Sequence, residues 1–399
     1  MRGRPAYLDS DEAVAAFFDA THTATRLAVD TEGASFHRFV DRIYLIQVST
    51  QERHAIIDPL PIAPPKALGE LLESRAVEVV FHDADYDLRL LHQDYGWHAR
   101  SVFDTRIAAQ LLGIQSFGLA ALLESYFGVK LDKKHQRADW SMRPLTPGML
   151  EYAAQDTMHL LPLRDRLANE LEKKRRWSWA QEEFRRLEGT RWEAEEPGTT
   201  FLRIKGARDL TRRELAVLRE LVSWRDALAH KLDKATFRVV GNEVLLEAAR
   251  MAPGDRDTLG KIKGMPRGIV ERHAAEILGA IARGMSVSES DLPKFPKGKR
   301  YSRDPDFDTK VSRLKTVRDD AAKRLELDPG VLCSRDRMEA VARAVPRSVD
   351  ELGAVEELRK WQVAELGEGF VEALKGFKVV PGSSGVSVGP GGADSPYRE

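Results

Sequence analysis

The chain is short of several things, and each shortage excludes something. It has a single cysteine, Cys333, among 399 residues. One thiol forms no internal disulfide and no cysteine-rich zinc site, and its plainest place is a small hydrophobe's position in a core. No uninterrupted apolar run reaches membrane-spanning length. The opening residues, MRGRPAYLDSDEAVAAFF, lack the apolar stretch and cleavage site of a signal peptide. A cytoplasmic protein with no membrane partner is expected. Net charge is also missing, because 62 Lys and Arg balance 62 Asp and Glu. That excludes a uniformly basic nucleic-acid-binding protein, although local patches still decide such binding. No G-x-x-x-x-G-K-[ST] loop occurs, which argues against a helicase motor. The length itself predicts two or three domains, each able to bury a core.

The first half alternates strand and helix signals. Strands are expected over 26–31, 42–50, 54–57, 77–82 and 101–103. Polar Gln51, Glu52 and Arg53 give the second and third a hairpin spacing. A helix over 85–95 between the last two predicts a βαβ unit. Helices follow over 105–112 and 119–127, then one opened by Thr146-Pro147 that runs on through MLEYAAQDTMHLLPL. The expectation is a mixed sheet with an antiparallel hairpin and flanking helices. A charged helical segment over 171–187 leads to a loose stretch, EAEEPGTT, at 193–200, where the first boundary is placed.

Beyond that stretch, strand signals nearly vanish. Thr211 and Glu214 fit a capping box, and Leu215, Leu218, Leu221, Val222, Leu228 and Leu232 form a helical apolar face. An internal repeat is visible too. Arg225-Asp226 returns as Arg318-Asp319, a shift of 318 − 225 = 93. The same shift relates Ala249-Arg250 to Ala342-Arg343, Pro253 to Pro346 and Leu259-Gly260 to Leu352-Gly353. An ungapped shift over that span predicts two copies of one small helical domain. The expected division is 1–192, 206–286, 301–378 and a tail over 379–399 too poor in apolar residues to pack. Trp224 and Trp361 do not obey the shift and are read as core or boundary residues.

The chemistry is expected from carboxylates. In LAVDTEG, Asp30 and Glu32 lie two apart on a strand and project together. Like charges held that close repel, and either water or a bound cation relieves them. A second cluster, FHDADYDLRLL, offers Asp83, Asp85 and Asp87 where a strand passes into a helix. Acids in a first helical turn also favour the helix dipole, and periodicity does not choose among the three. A third piece, EYAAQD, sets Tyr152 and Asp156 four apart on one helix face, with two alanines between them. Hard oxygen ligands without clustered histidine or cysteine suit Mg²⁺ or Mn²⁺ rather than Zn²⁺.

DTEG with LIQVS downstream, FHDADYDLRLL and EYAAQD resemble the three motifs of the DEDD 3′→5′ exonucleases, in the subclass with Tyr-x-x-x-Asp as its third motif. Their order and spacing, with FDTRIAAQLLG and DWSMRPL, resemble the ribonuclease D family, and the paired repeats resemble HRDC domains. The resemblance spans roughly residues 25–378. It implies a ribonuclease H-like α/β domain followed by two all-α HRDC-like domains. It implies a two-metal site with Asp30, Glu32, Asp87 and Asp156 as ligands, and it selects Asp87 over Asp83 and Asp85. Tyr152 falls where the family positions the attacking water. The implied activity is stepwise removal of nucleotides from a free RNA 3′ end, releasing 5′-monophosphates. Precursor tRNA is the implied substrate, and the implied state is a monomer. His82, Phe36, Gln47, Lys133, Lys134 and Arg143 are candidate RNA contacts, and the basic stretch 294–300 is a candidate part of the RNA path. A DNA exonuclease with the same chemistry and a non-catalytic RNA-binding scaffold are the competing readings.

Overall fold

The computed structural model describes residues 5–132, 134–194, 198–296 and 303–380. They form two compact units. The first comprises Met1–Ile107, Gly118–Asn169 and Glu183–Pro296, and the second Ala108–Phe117, Glu170–Glu182 and Lys297–Glu399.

The first unit is organised by a six-stranded sheet: β1 (Ala6–Leu8), β2 (Arg26–Glu32), β3 (Leu45–Ser49), β4 (His54–Ile57), β5 (Glu78–Phe81) and β6 (Val102–Asp104), in the order β1-β4-β3-β2-β5-β6. β2, β3 and β4 form an antiparallel meander, while β5 and β6 run parallel to β2 and to each other. All of Leu45, Ile46, Gln47, Val48 and Ser49 are buried, so β3 is covered on both faces. In the β2–β3 register Asp30 lies opposite Gln47 and Glu32 opposite Leu45.

Helices flank the sheet: α1 (Asp11–Asp19), α2 (Lys66–Glu73), α3 (Asp85–Tyr95), α4 (Thr105–Leu111), α5 (Leu119–Phe127), α6 (Pro147–Met158), α7 (Leu160–Lys173) and α8 (Trp177–Leu187). α3 lies between parallel β5 and β6, so the expected βαβ unit is present. α6 starts as its sequence dictates, with the Thr146 hydroxyl accepting from the Met149 N–H and Pro147 in the first turn. It packs on β2, β3 and β4, where the hydroxyls of Ser49 and Thr157 meet at 2.8 Å.

Three expectations are corrected. The single long helix after Thr146 is two, because the chain breaks at His159 and Pro162 sits in the first turn of α7, where its missing N–H costs nothing. The segment 171–187 likewise breaks before Trp177, with Arg175 in a left-handed turn at φ 58°. β1 is an added strand, pairing in parallel with β4.

The rest of this unit is helical: α9 (Arg212–Leu232), α10 (Thr236–Val239), α11 (Asn242–Met251), α12 (Arg256–Gly260) and α13 (Arg267–Ser286). The Thr211–Glu214 capping box opens α9. Leu215, Leu218, Leu221, Val222 and Leu228 form its buried face, whereas Leu232, at the helix end, is exposed. α9 and α13 approach closely at Gly284, where a Cβ would lie 2.5 Å from the Cα of Val217. Trp224 is only partly buried, and its indole N–H donates to Glu276 at 3.0 Å.

The second unit carries α14 (Phe307–Leu325), α15 (Pro329–Leu332), α16 (Arg335–Ala344), α17 (Val349–Gly353) and α18 (Lys360–Ala373). The starts of α10 to α13 at 236, 242, 256 and 267 recur at 329, 335, 349 and 360, each 93 residues later. The left-handed turns at Asp233 and Ala252 recur at Glu326 and Val345 with the same shift. Sequence repeat and structural repeat coincide. Trp361 is buried, stacked 4.7 Å from Trp179, and Cys333 is buried too. Residues 297–300 of the basic linker and 381–399 of the tail lie outside the described residues.

Candidate active site

β2 delivers Asp30 and Glu32 to one face of the sheet, and α6 delivers Asp156 to the same place. One carboxylate oxygen from each lies within 4.8 Å of the others. Each acid keeps part of its surface open to a pocket of about 700 Å³, into which Tyr152, His82 and Phe36 also face. Asp87, in the first turn of α3, is buried just behind. It accepts two hydrogen bonds at one oxygen, from the Thr31 N–H at 2.9 Å and the Thr31 hydroxyl at 2.6 Å.

Among the described residues no lysine or arginine forms an ion pair with Asp30, Glu32, Asp87 or Asp156. Burial pushes all four carboxyl groups up, and their mutual repulsion pushes further. For Asp156 the rise is to about 7, from burial and then from the charge of Asp87. Burial, followed by the charges of Asp156, Glu32 and Asp30, also raises the Tyr152 phenol, which stays protonated at neutral pH. Gln47 is fully buried beside this cluster. Its amide N–H reaches Glu32 at 3.5 Å, and its Oε1 has no partner among the described residues. A cluster of acids that repel one another and have no cationic side chain fits hard divalent cations.

The other two acids of the second motif have separate partners. Asp83 pairs with Arg106, and Asp85 pairs with Arg89 at 2.8 Å. The structure therefore separates the three aspartates that periodicity left equivalent.

The expected RNA contacts divide. Phe36 and His82 line the pocket. Burial lowers His82 to about 4, and its Nδ1 lies 2.9 Å from the Thr105 hydroxyl, so it is neutral at pH 7. Gln47 sits behind Glu32 and not in the pocket. Arg143 is used elsewhere: its guanidinium donates to Asp58 at 2.8 Å and to the carbonyls of Trp140, Met142 and Tyr44. It has no donor left over for a phosphate, and its role is to hold the 140–145 loop. Lys134 is exposed and pairs with Asp132 at 3.3 Å. Lys133 lies outside the described residues.

Several pocket residues carry no sequence signal of their own. His37, Arg137 and Trp140 line it because their loops fold there, and Tyr86 does so from the first turn of α3. Gly33 of the DTEG motif also has a steric reason. A Cβ there would collide with the Tyr86 hydroxyl and lie 2.8 Å from Asp41.

The 3′-5′ exonuclease family model matches residues 5–172, and the HRDC domain model matches twice, over 214–281 and 310–374. Ribonuclease D of Granulibacter bethesdensis is 30% identical over 351 residues, covering 87% of this chain and 88% of that protein. Ribonuclease D of Escherichia coli is 32% identical over 288 residues, covering 72% and 76%. The chain belongs to the ribonuclease D family. The crystal structure of Escherichia coli RNase D superposes with a TM-score of 0.72 at 27% identity, over 93% of this chain and 99% of that one. The catalytic core of RRP6 from Trypanosoma brucei superposes with a TM-score of 0.61 at 27% identity, over 71% and 81%. The protein is thus a 3′→5′ exoribonuclease with a metal-dependent nuclease domain, followed by a helical HRDC region. No described helix is long and apolar enough to cross a membrane.

Proposed function

We propose that Asp30, Glu32, Asp87 and Asp156 hold two divalent cations, Mg²⁺ or Mn²⁺, and that the enzyme trims RNA from a free 3′ end, releasing nucleoside 5′-monophosphates. The observation that carries this is the Asp30, Glu32 and Asp156 cluster, whose charges have no cationic side chain among the described residues to balance them. Bound divalent cations supply the charge that activates a water and stabilises the leaving oxygen of an in-line displacement at phosphorus.

The chain's own residues do the rest. The four carboxylates bind and fix the cations. The Tyr152 phenol, protonated and facing the same pocket, donates a hydrogen bond that positions the attacking water. Water attacks the terminal phosphodiester, the bond from phosphorus to the 3′ oxygen of the preceding nucleotide breaks, and no covalent enzyme intermediate forms. Phe36 offers a face for a base of the 3′ end. Neutral His82, its Nδ1 held by the Thr105 hydroxyl, lines the same pocket and presents its Nε2 as a hydrogen-bonding group for the substrate.

Escherichia coli RNase D is described as an exoribonuclease involved in structured RNA processing. By that likeness we assign this enzyme to 3′ processing of structured RNAs, precursor tRNA among them, acting as a cytoplasmic monomer. The division into an exonuclease domain over 1–192 and HRDC-like domains over 206–286 and 301–378 belongs to the same reading.

The test uses 5′-labelled single-stranded RNA and its DNA equivalent with Mg²⁺, Mn²⁺ or chelator, comparing the unaltered protein with Asp30→Ala. A metal-dependent ladder shortening RNA from its 3′ end, lost in the variant, is expected. Shortening of DNA alone, or RNA binding without cleavage under either metal, would overturn the reading.

A further inference from the structure

The loop that follows β2 is tied to the turn between α9 and α10. Arg38 pairs with Asp233 at 3.1 Å, the Phe39 N–H donates to Asp233 at 3.3 Å, and the Ala235 N–H donates to the His37 carbonyl at 3.2 Å. Asp233 sits in the left-handed region, φ 46°, and turns the chain into α10. That geometry sets Phe237 beside Phe36, ring centroids 5.0 Å apart and tilted by 54°. The Arg238 guanidinium lies 5.0 Å from the Phe36 ring, and that of Arg137 lies 6.0 Å from it.

Three features set this cluster apart from ordinary packing. Phe36 and Phe237 remain 45% and 47% exposed, although they touch each other. Among the described residues neither Arg137 nor Arg238 has an ion-pair partner, so two cations stand over a half-bare aromatic surface. The repeat provides an internal control. The 93-residue shift places Gly330 and Val331 opposite Phe237 and Arg238, and α15 forms the same four-residue helix as α10 without either side chain. The helical module does not need them to fold.

Phe36 lines the carboxylate pocket, while Phe237 and Arg238 lie beyond it. A strand whose 3′ end reaches the acids and passes Phe36 meets Phe237 and Arg238 next. We propose that Phe237 and Arg238 of the first helical repeat join Phe36 and Arg137 in a stacking platform for an RNA base upstream of the 3′-terminal nucleotide. The rings offer a face to any base, and the guanidinium groups face the adjoining phosphates. The proposal rests on the exoribonuclease reading for its ligand and makes the repeat part of the substrate path.

The test is a binding cycle in the presence of chelator, so that nothing is cleaved. Dissociation constants are measured for a short single-stranded RNA and for versions with one abasic nucleotide scanned along the 3′ end. Phe237→Ala is expected to weaken binding about tenfold, the size of one lost base stack, and Phe237→Trp to restore it. At one abasic position the penalty seen with the unaltered protein should disappear in Phe237→Ala. Arg238→Ala should flatten the dependence of affinity on salt. Unchanged affinity in Phe237→Ala, or penalties that simply add at every position, would overturn the platform. A merely structural role for Phe237 would give the additive pattern and no rescue by tryptophan. Failure of the unaltered chain to shorten RNA would instead count against the nuclease reading and leave this cycle interpretable.

Discussion

Thr31 donates both its backbone N–H and its hydroxyl to one oxygen of Asp87, at 2.9 and 2.6 Å. The middle residue of the DTE triplet therefore fastens the helix carboxylate to the strand that carries the other two. Thr31→Val keeps the shape and the backbone donor but removes the hydroxyl. Loss of such a supporting bond weakens metal binding about 10-fold or more. Activity titrated against Mg²⁺ or Mn²⁺ should shift to higher metal concentration, with the maximal rate less affected. An unshifted titration would deny Asp87 this dependence.

Asp156 gives a pH prediction. Its carboxyl in the metal-free fold lies near 7, above the ordinary 3.8. The folded state therefore binds the proton more tightly than the unfolded state does. The stability linked to that proton is present below about pH 4 and is lost as pH rises through 7. Asp156→Asn removes the charge that causes the loss. In chelator, the variant should melt several degrees above the unaltered protein at alkaline pH and close to it at acid pH. It should also lose most of the rise in melting temperature that Mn²⁺ gives the unaltered protein. Equal melting temperatures across the pH range would contradict this account.

Tyr152 is argued to work as a neutral donor. Tyr152→Phe should lower kcat by about 10²-fold and leave KM for RNA nearly unchanged. Because burial and the neighbouring acids hold the phenol protonated, the alkaline limb of the unaltered enzyme's rate profile should persist in the variant. A rate that rose with pH in the unaltered enzyme and no longer did so in the variant would make the phenolate, and not the phenol, the working form.

Gly33 tests the close approach behind the pocket. Gly33→Ala pushes a methyl group into the Tyr86 hydroxyl, displacing the loop that carries Phe36. A loss of about tenfold in kcat/KM is expected, on the scale of a misplaced substrate contact. Removing the obstructing oxygen with Tyr86→Phe should recover part of it in the double variant, a non-additive result. Additive losses would point to a different cause.

Much of this site was legible in the sequence because periodicity reports local geometry. A spacing of two on a strand brought Asp30 and Glu32 together, and a spacing of four on a helix brought Tyr152 and Asp156 together. The 93-residue shift foretold the matching helices. What local pattern does not encode is the partner. Arg143 looks like a free cation until Asp58, 85 residues away, is seen to take its guanidinium. Asp83 and Asp85 have Arg106 and Arg89 within reach, while Asp87 is buried and held by Thr31. β1 was illegible for another reason. Three residues are too few to show alternation, and its place comes from pairing with β4. The break at His159 did have a signal, Pro162, which fits the first turn of a new helix better than the interior of an old one.

The left-handed residues that recur in the two helical modules offer handles for thermostabilisation. Ala252 and Val345 hold φ of 41° and 46°, where a side chain, above all a β-branched one, is strained by about 1–2 kcal/mol. Glycine relieves that strain and costs about 0.4–1 kcal/mol through the freer unfolded chain. The two positions lie in different compact units. Ala252→Gly would harden the first module against heat, whereas Val345 is buried and Val345→Gly would lose more in packing than it gains in strain, and the two opposite melting shifts would report whether the modules unfold together or in turn.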